Sequence, residues 1–66
     1  MRNSIKVERA ILNITQEKLA ELIGVSRQTI NSIEKNRYVP STILALNISK
    51  VFNKTVNAIF VLEEND

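Results

Sequence analysis

The chain has 66 residues, with no cysteine, no histidine and a formal net charge of +2. This length suffices for one domain, so residues 1–66 are predicted to form a single unit that buries only about 60% of its unfolded surface. The missing residue types exclude disulfides and remove the commonest zinc ligands and the commonest general base near neutral pH. We therefore expect no catalytic residues, no metal, no cofactor and no enzymatic activity.

One glycine and one proline leave most of the chain free to form helices. The first helix is predicted to begin after Ser4, an N-cap candidate, and to end at Leu12, with Asn13 closing it in the left-handed conformation. The second helix is predicted between the cap residue Thr15 and Gly24, because glycine best adopts a positive φ. Its spacing predicts a buried stripe formed by Leu19, Leu22 and Ile23.

A third helix is predicted from Arg27 to about Lys35. Ser26 is its N-cap candidate, and Asn36 is its C-terminal cap. The apolar residues that this helix turns inward are Ile30 and Ile33.

Ser41 and Thr55 predict the starts of the last two helices. The fifth helix is short, from Val56 to Phe60, and Val61-Leu62 is predicted to extend as a short strand or to contact another chain. The fourth helix has the wide apolar stripe of a central helix, formed by Ile43, Leu44, Leu46, Ile48, Val51 and Phe52.

Residues 16–35 have the spacing of a helix-turn-helix unit, in which two helices are joined by a three-residue turn. Ala20 is small where the second helix of the unit must cross closely, and Gly24 forms the turn. Val25 fills the angle between the helices, and Ile30 packs back against the first. A generic helical hairpin can show two of these features by chance, so all four together favour the DNA-binding unit.

Three segments resemble the Cro/repressor-type helix-turn-helix domain, the Xre family. They are Thr15-Gln16-Glu17-x-Leu19-Ala20, Gly24-Val25-Ser26-x-x-Thr29-Ile30-x-x-Ile33-Glu34 and Pro40-Ser41. The resemblance spans roughly residues 5–60, and in size the chain is similar to the very short stand-alone regulators of the family. It implies an all-α, five-helix lambda-repressor-like domain, to which the apolar end adds a short terminal pair of β-strands or a contact with another chain. Asn13 and Asn36 stand where glycine is common, and asparagine adopts the same backbone conformation.

The polar face of the third helix is the predicted site of base contacts. Its residues, at i, i+1, i+4 and i+5, are Arg27, Gln28, Asn31 and Ser32. Arginine can donate two hydrogen bonds to guanine, and glutamine or asparagine can pair with adenine, in the major groove. The resemblance places base contacts at the first two of these residues and at Ser32. A solvated polar face is the alternative.

A second set of residues is predicted to contact DNA phosphates: Thr15, Gln16, Thr29, Lys35, Arg37 and Tyr38. Gln16 stands in the first turn of the second helix, where backbone N–H groups and the helix dipole add to an anion site. A plain exposed glutamine is the alternative there. Thr29 equally suits a structural role, and Tyr38 equally suits packing on the domain.

The remaining assignments are structural. The resemblance implies a salt bridge between Arg9 and Glu34, which links the first and third helices. Ala20 and Gly24 are assigned a structural role in the helix-turn-helix unit. The apolar end is predicted to form a dimer interface, with packing inside one chain as the alternative. Its residues are Phe60, Val61 and Leu62.

The distribution of charge supports a polyanionic partner. All nine basic residues lie within residues 1–54, where four glutamates oppose them and leave a net charge of +5, whereas Glu63, Glu64 and Asp66 form an acidic tail. Solvated surface charge gives the same pattern. No apolar run approaches the roughly 18 residues of a membrane span, and no signal-peptide core is present, so we expect a cytoplasmic protein with no membrane contact.

These features together predict a sequence-specific transcriptional regulator that binds double-stranded DNA. The resemblance implies a homodimer with two recognition helices in successive major grooves, and hence a repressor on a palindromic operator. Nothing after residue 60 is long enough for an effector site, so no small-molecule ligand is expected. The alternative is a protein-interaction module of the same fold, such as an antitoxin whose tail docks a toxin.

Overall fold

The computed structural model describes all 66 residues as five helices and two short strands. In chain order these are β1 (Arg2–Asn3), α1 (Ile5–Leu12), α2 (Gln16–Ile23), α3 (Arg27–Glu34), α4 (Thr42–Phe52), α5 (Val56–Ile59) and β2 (Phe60–Val61). The predicted five-helix lambda-repressor-like fold is confirmed. None of the helices combines the length and the apolar character needed to span a membrane.

The two strands join the ends of the chain. They pair antiparallel, with Arg2 opposite Val61 and Asn3 opposite Phe60. The predicted terminal strand pair is therefore confirmed, but its second strand begins one residue earlier than predicted, because α5 ends at Ile59 and Phe60 already has an extended backbone.

Side-chain caps define the starts of most helices. At α2, α3, α4 and α5 the predicted hydroxyl accepts a hydrogen bond from a backbone N–H three residues on, at 3.0–3.2 Å. Ser4 is the N-cap residue of α1, as predicted, but its side chain makes no cap hydrogen bond. Asn3 Oδ1 accepts from the N–H of Ile5 instead, at 3.2 Å. An asparagine one residue earlier thus serves the first turn.

Left-handed residues end the helices, as predicted for Asn13, Gly24 and Asn36, whose φ angles are 57°, 73° and 60°. Asn53, with a φ of 54°, ends α4 in the same way and was not among the predicted caps. Asparagine tolerates this backbone region better than other residues with a side chain. Three of the four such residues are asparagines, so the single glycine is enough for this fold.

The core lies around α4, which packs against α1, α2 and α5. Its ten buried apolar residues are Ile5, Leu19, Ala20, Ile30, Ile33, Leu44, Ile48, Phe52, Ile59 and Phe60. Three residues predicted to be buried are exposed instead: Leu22 is 52% exposed, Ile43 is 74% exposed and Leu46 is 54% exposed. Ile43 and Leu46 lie on the side of α4 away from the core, so this helix has one covered face and one exposed apolar face. Leu22 lies on α2 and also points away from the core.

An ion pair between a buried glutamate and a lysine that is 44% exposed also ties α1 to the connection between α4 and α5. Lys54 Nζ lies 2.7 Å from Glu8 Oε2, and the Glu8 side chain is only 8% exposed. Burying a carboxylate is costly unless it is paired, so Lys54 removes that cost. The two residues are 46 positions apart.

Candidate nucleic-acid interface

The helix-turn-helix unit is built from α2, a short turn and α3. Ala20 is 3% exposed at the crossing of the two helices. The N–H of Val25 donates to the carbonyl of Ala20 at 3.0 Å, which closes the turn. A methyl group at Gly24 would meet nothing within 4 Å, so glycine is favoured there by its φ of 73° and not by lack of space.

The orientation of α3 follows from its two isoleucines. Ile30 is fully buried and Ile33 is 1% exposed, which fixes the opposite face of the helix towards solvent. On that face lie the four predicted base-contacting residues, of which Arg27 and Gln28 are exposed and Asn31 and Ser32 are partly exposed. The helix therefore presents one polar stripe from its N-terminal end to its middle.

Gln16 is the first residue of α2, and its side chain reaches α3 and links several of these polar side chains. Its Nε2 donates to Asn31 Oδ1 at 3.3 Å and to Glu34 Oε1 at 3.1 Å. Its Oε1 accepts from the guanidinium of Arg27 at 3.3 Å. Gln16 thus holds two of the predicted base-contacting residues, a contact that the sequence prediction did not include.

The predicted salt bridge between Arg9 and Glu34 lies behind Gln16. Arg9 Nε donates to Glu34 Oε2 at 2.6 Å and Nη2 donates to Oε1 at 3.0 Å, and the two side chains are 15% and 8% exposed. Hydrogen bonding to the Glu34 carboxylate raises the pKa of the Arg9 guanidinium above its ordinary value. Nη1 of Arg9 also donates to the carbonyl of Ile14 at 3.2 Å. A continuous series of hydrogen bonds between side chains therefore runs from Arg9 through Glu34 and Gln16 to Arg27.

An open depression of about 380 Å³ lies where α1 ends and α2 begins. Arg9, Thr15, Gln16 and Arg27 are among the residues that line it. The N-terminal end of α2 carries the positive end of the helix dipole, which favours an anion. Both N–H groups of the Gln16 amide are used on Asn31 and Glu34, and Arg9 is already paired with Glu34. The donors left for a phosphate oxygen are therefore Arg27, the Thr15 hydroxyl and the backbone N–H groups at the start of α2, although the carboxylate of Glu17 also lines the depression.

The other predicted phosphate-contacting residues lie at the two ends of α3. Lys35, Arg37 and Tyr38 are exposed after its C-terminus, and Tyr38 keeps 47% of its surface exposed. The N–H of Arg37 donates to the carbonyl of Ser32 at 2.9 Å, which fixes the turn. At the other end, the Thr29 hydroxyl lies 2.9 Å from the Ser26 hydroxyl, so Thr29 takes part in the helix cap.

The residues predicted to form a dimer interface do not behave alike. Val61 is 43% exposed and Leu62 is 75% exposed, but Phe60 is buried in the core at 8% exposure. Phe60 packs in the core, the alternative given above, so the exposure expected of it is not found, and its place in a dimer interface stays a prediction. Phe60 instead lines one wall of an open, mainly apolar groove of about 340 Å³. We call this the apolar groove, with Val39, Leu46, Val56 and Phe60 among its lining residues.

Comparison with known proteins agrees with this geometry. Residues 5–59 match the helix-turn-helix family. Over 66 residues the chain is 48% identical to an uncharacterized HTH-type transcriptional regulator of Methanocaldococcus jannaschii and equally to one of Bacillus subtilis, with both chains of each pair fully covered. It is also similar in structure to the P22 c2 repressor protein, which was crystallised in complex with a synthetic operator; the TM-score is 0.77 at 28% identity, over 80% of each chain.

Proposed function

The chain belongs to the Cro/repressor-type helix-turn-helix family, and on that premise we propose that it is a sequence-specific transcriptional regulator that binds double-stranded DNA through α3. The observation that carries the proposal is the polar stripe of α3, in which Arg27 and Asn31 are hydrogen-bonded to Gln16. Positions that are fixed before binding lose little entropy on binding, so such a stripe suits base contacts better than a freely moving solvated face does.

In this proposal the base contacts come from the polar stripe. Arg27 and Gln28 are exposed near the N-terminus of α3, the end that enters the major groove deepest in helix-turn-helix proteins. Each good bidentate pair contributes roughly 1–3 kcal/mol of discrimination between bases. Asn31 is already bonded to Gln16, so its amide contacts DNA in the orientation that Gln16 sets. Ser32, whose side chain is shorter, contacts bases from the same face of the helix.

Phosphate contacts position the protein without selecting a sequence. We assign them to the Thr15 hydroxyl and the backbone N–H of Gln16 at the depression before α2, to Thr29 at the start of α3, and to Lys35, Arg37 and Tyr38 after it. In sequence, two of these residues precede the polar stripe at positions 27–32, three follow it, and Thr29 lies within it. The body of the chain has a net charge of +5, which favours the association with a polyanion and makes the affinity depend on salt.

We further propose that the protein acts as a homodimer on a palindromic operator, as a repressor. The domain measures 31 × 22 × 20 Å, so two copies in contact along the long axis would have their centres about 31 Å apart, close to the roughly 34 Å of one DNA turn. The contact is assigned to the apolar groove, together with exposed Ile43, Val61 and Leu62. A patch of this kind on a small domain often marks a subunit interface.

The test is selection of bound sequences from random duplex DNA at fixed salt, with wild type, Arg27→Ala and Gln28→Ala in parallel. Lys6→Ala and Asn57→Ala are matched controls, because they remove the same charge and the same kind of group from exposed positions of α1 and α5. We expect wild type and both controls to enrich one palindrome, and the α3 variants to lose or change bases within it. Enrichment of the same site by both α3 variants would contradict the assignment.

A further inference from the structure

Asn3 makes three hydrogen bonds that join distant parts of the chain. Its amide Nδ2 donates to the carbonyl of Ile33 at 2.9 Å and to Asn36 Oδ1 at 3.2 Å. Its Oδ1 accepts from the N–H of Ile5 at 3.2 Å. The amide NH2 group of Asn3 therefore donates both of its hydrogens to the end of α3, while the amide oxygen accepts a hydrogen bond from the start of α1.

The two groups that Asn3 contacts define how α3 ends. The carbonyl of Ile33, in the last turn of the helix, accepts two hydrogen bonds: one from the backbone N–H of Asn36 at 3.0 Å and the second from Asn3. Asn36 has the positive φ of 60° at which the chain leaves the helix towards Arg37 and Tyr38. Asn3 is thus bonded both to the last turn of α3 and to the residue that sets the direction of the following loop.

Asn3 is itself held in place by the terminal sheet. It lies in β1 opposite Phe60 of β2, and the N–H of Ser4 donates to the carbonyl of Ile59 at 3.0 Å. Phe60 also lines the apolar groove. The hydrogen bonds of Asn3 therefore connect the C-terminal end of α3 to the sheet beside the groove.

We propose that Asn3 is a positioning residue for DNA recognition, which fixes the C-terminal end of α3 and the loop after it against the terminal sheet. The inference rests on the proposed function, since it concerns the same α3 surface. An eight-residue helix has about two turns, so a small tilt at its C-terminal end moves the whole polar stripe. Groups that contact bases must be held within about 0.5 Å, which makes such an anchor matter for specificity.

The variant that isolates this role is Asn3→Asp. The carboxylate keeps an oxygen for the N–H of Ile5, so the start of α1 stays capped, but it has no hydrogens for Ile33 or Asn36 and places an anion against two acceptor oxygens. Asn36→Gly is the milder companion, because glycine keeps the positive φ and removes only the acceptor side chain. Asn57→Asp, at an exposed position of α5, adds the same charge without touching α3.

The first measurement is the ratio of Kd for scrambled duplex to Kd for the duplex that the wild type selects from random DNA. The ratio cancels the uniform effect of an added negative charge on phosphate binding. We expect it to fall about five- to tenfold in Asn3→Asp and about twofold in Asn36→Gly, as for loss of one or two neutral hydrogen bonds, and to stay constant in Asn57→Asp. An unchanged ratio in Asn3→Asp, or an equal fall in Asn57→Asp, overturns the proposal.

The second measurement is amide hydrogen exchange of the free protein. We expect the N–H groups of Asn36 and Arg37 to exchange faster in Asn3→Asp, while that of Ala45 in α4 keeps its rate. Equal acceleration at all three sites means general destabilisation and overturns the proposal. If the wild type selects no DNA sequence, the proposed function fails, and exchange alone then decides: faster exchange confined to Asn36 and Arg37 supports the anchor, and unchanged exchange overturns it.

Discussion

On the α3 side of the domain the polar side chains are bonded to one another, whereas on the α4 side the apolar side chains have no partner. Arg9, Glu34, Gln16 and Arg27 form a continuous hydrogen-bonded series. Across the molecule, Ile43 and Leu46 leave 74% and 54% of their surface exposed. The contrast distinguishes a polar surface whose side chains are hydrogen-bonded to one another from an apolar surface that is exposed, as the proposed contact between two chains requires.

This comparison predicts different consequences of damage on the two sides. A substitution in the α3 series leaves a partly buried partner unpaired and should reduce the stability of the single chain. A substitution on the apolar side should leave the single chain stable and affect only the contact between chains. The following predictions test that difference, beginning with the largest effect.

Glu34→Ala should cause the largest loss of stability, because it leaves the guanidinium of Arg9 unpaired at 15% exposure. We expect the free energy of unfolding in urea to fall by about 2–3 kcal/mol, somewhat less than for a fully buried pair. Glu21→Ala is the control, since it removes an exposed glutamate from α2 and should change stability by less than about 0.5 kcal/mol. Equal effects of the two substitutions would mean that the pair does not support the fold.

Leu46→Glu should separate the dimer without unfolding the chain. A charge buried in an apolar contact is strongly unfavourable, so we expect the dissociation constant of the dimer to rise about tenfold or more. Val7→Glu is the matched control, because Val7 is similarly exposed, at 59%, on α1. Sedimentation at tens of micromolar protein checks both variants. A wild type that sediments only as a monomer, with and without DNA, would remove the basis for the two-fold arrangement.

A third, weaker effect concerns exposed charges at the chain ends. The amino group of Met1 lies 2.7 Å from Asp66 and 3.1 Å from Glu63. Hydrogen bonds to these carboxylates, first to Asp66, raise the pKa of the amino group, and the amino group in turn lowers the pKa of Asp66. The pairing therefore stabilises the chain between the ordinary values of 3.8 and 8.0. It is lost as the pH falls through the lowered pKa of Asp66 or rises through the raised pKa of Met1.

An NMR titration of both groups at low and at high salt checks this effect. Because the groups are exposed, salt should screen them and bring both pKa values back towards the ordinary ones. An Asp66 carboxyl that titrates at its ordinary pKa in low salt would show that the pairing is absent in solution. On the α3 side, by contrast, added salt should change little, since Arg9 and Glu34 are mostly buried.

The parts of the fold that depend on neighbouring residues could be predicted from the sequence. Thr15, Ser26, Ser41 and Thr55 cap helices as predicted, because a cap bond spans only three residues. The prediction of the solvent-facing side of α3 followed from its two buried isoleucines in the same local way.

The parts that depend on distant residues could not be predicted. Periodicity identified the apolar residues of α4, but only the packed neighbours decide that Ile43 is open and Phe60 is covered. The bonds of Asn3 to α3 and of Glu8 to Lys54 span 30 or more positions, and no spacing rule indicates them. Gln16 was assigned to phosphate alone, because its bonds to Asn31 and Glu34 exist only once α2 and α3 are packed.

The most direct test of the contrast between the two sides is an amide NMR titration of the protein with the duplex that it selects. We predict that shift changes concentrate at residues 27–32, at the start of α2 and at residues 35–38, and that they saturate. Signals around Leu46 should depend on protein concentration, and in protein concentrated enough to be dimeric they should not change further when DNA is added. Saturable changes centred on Ile43 and Leu46, with residues 27–32 unaffected, would contradict the account.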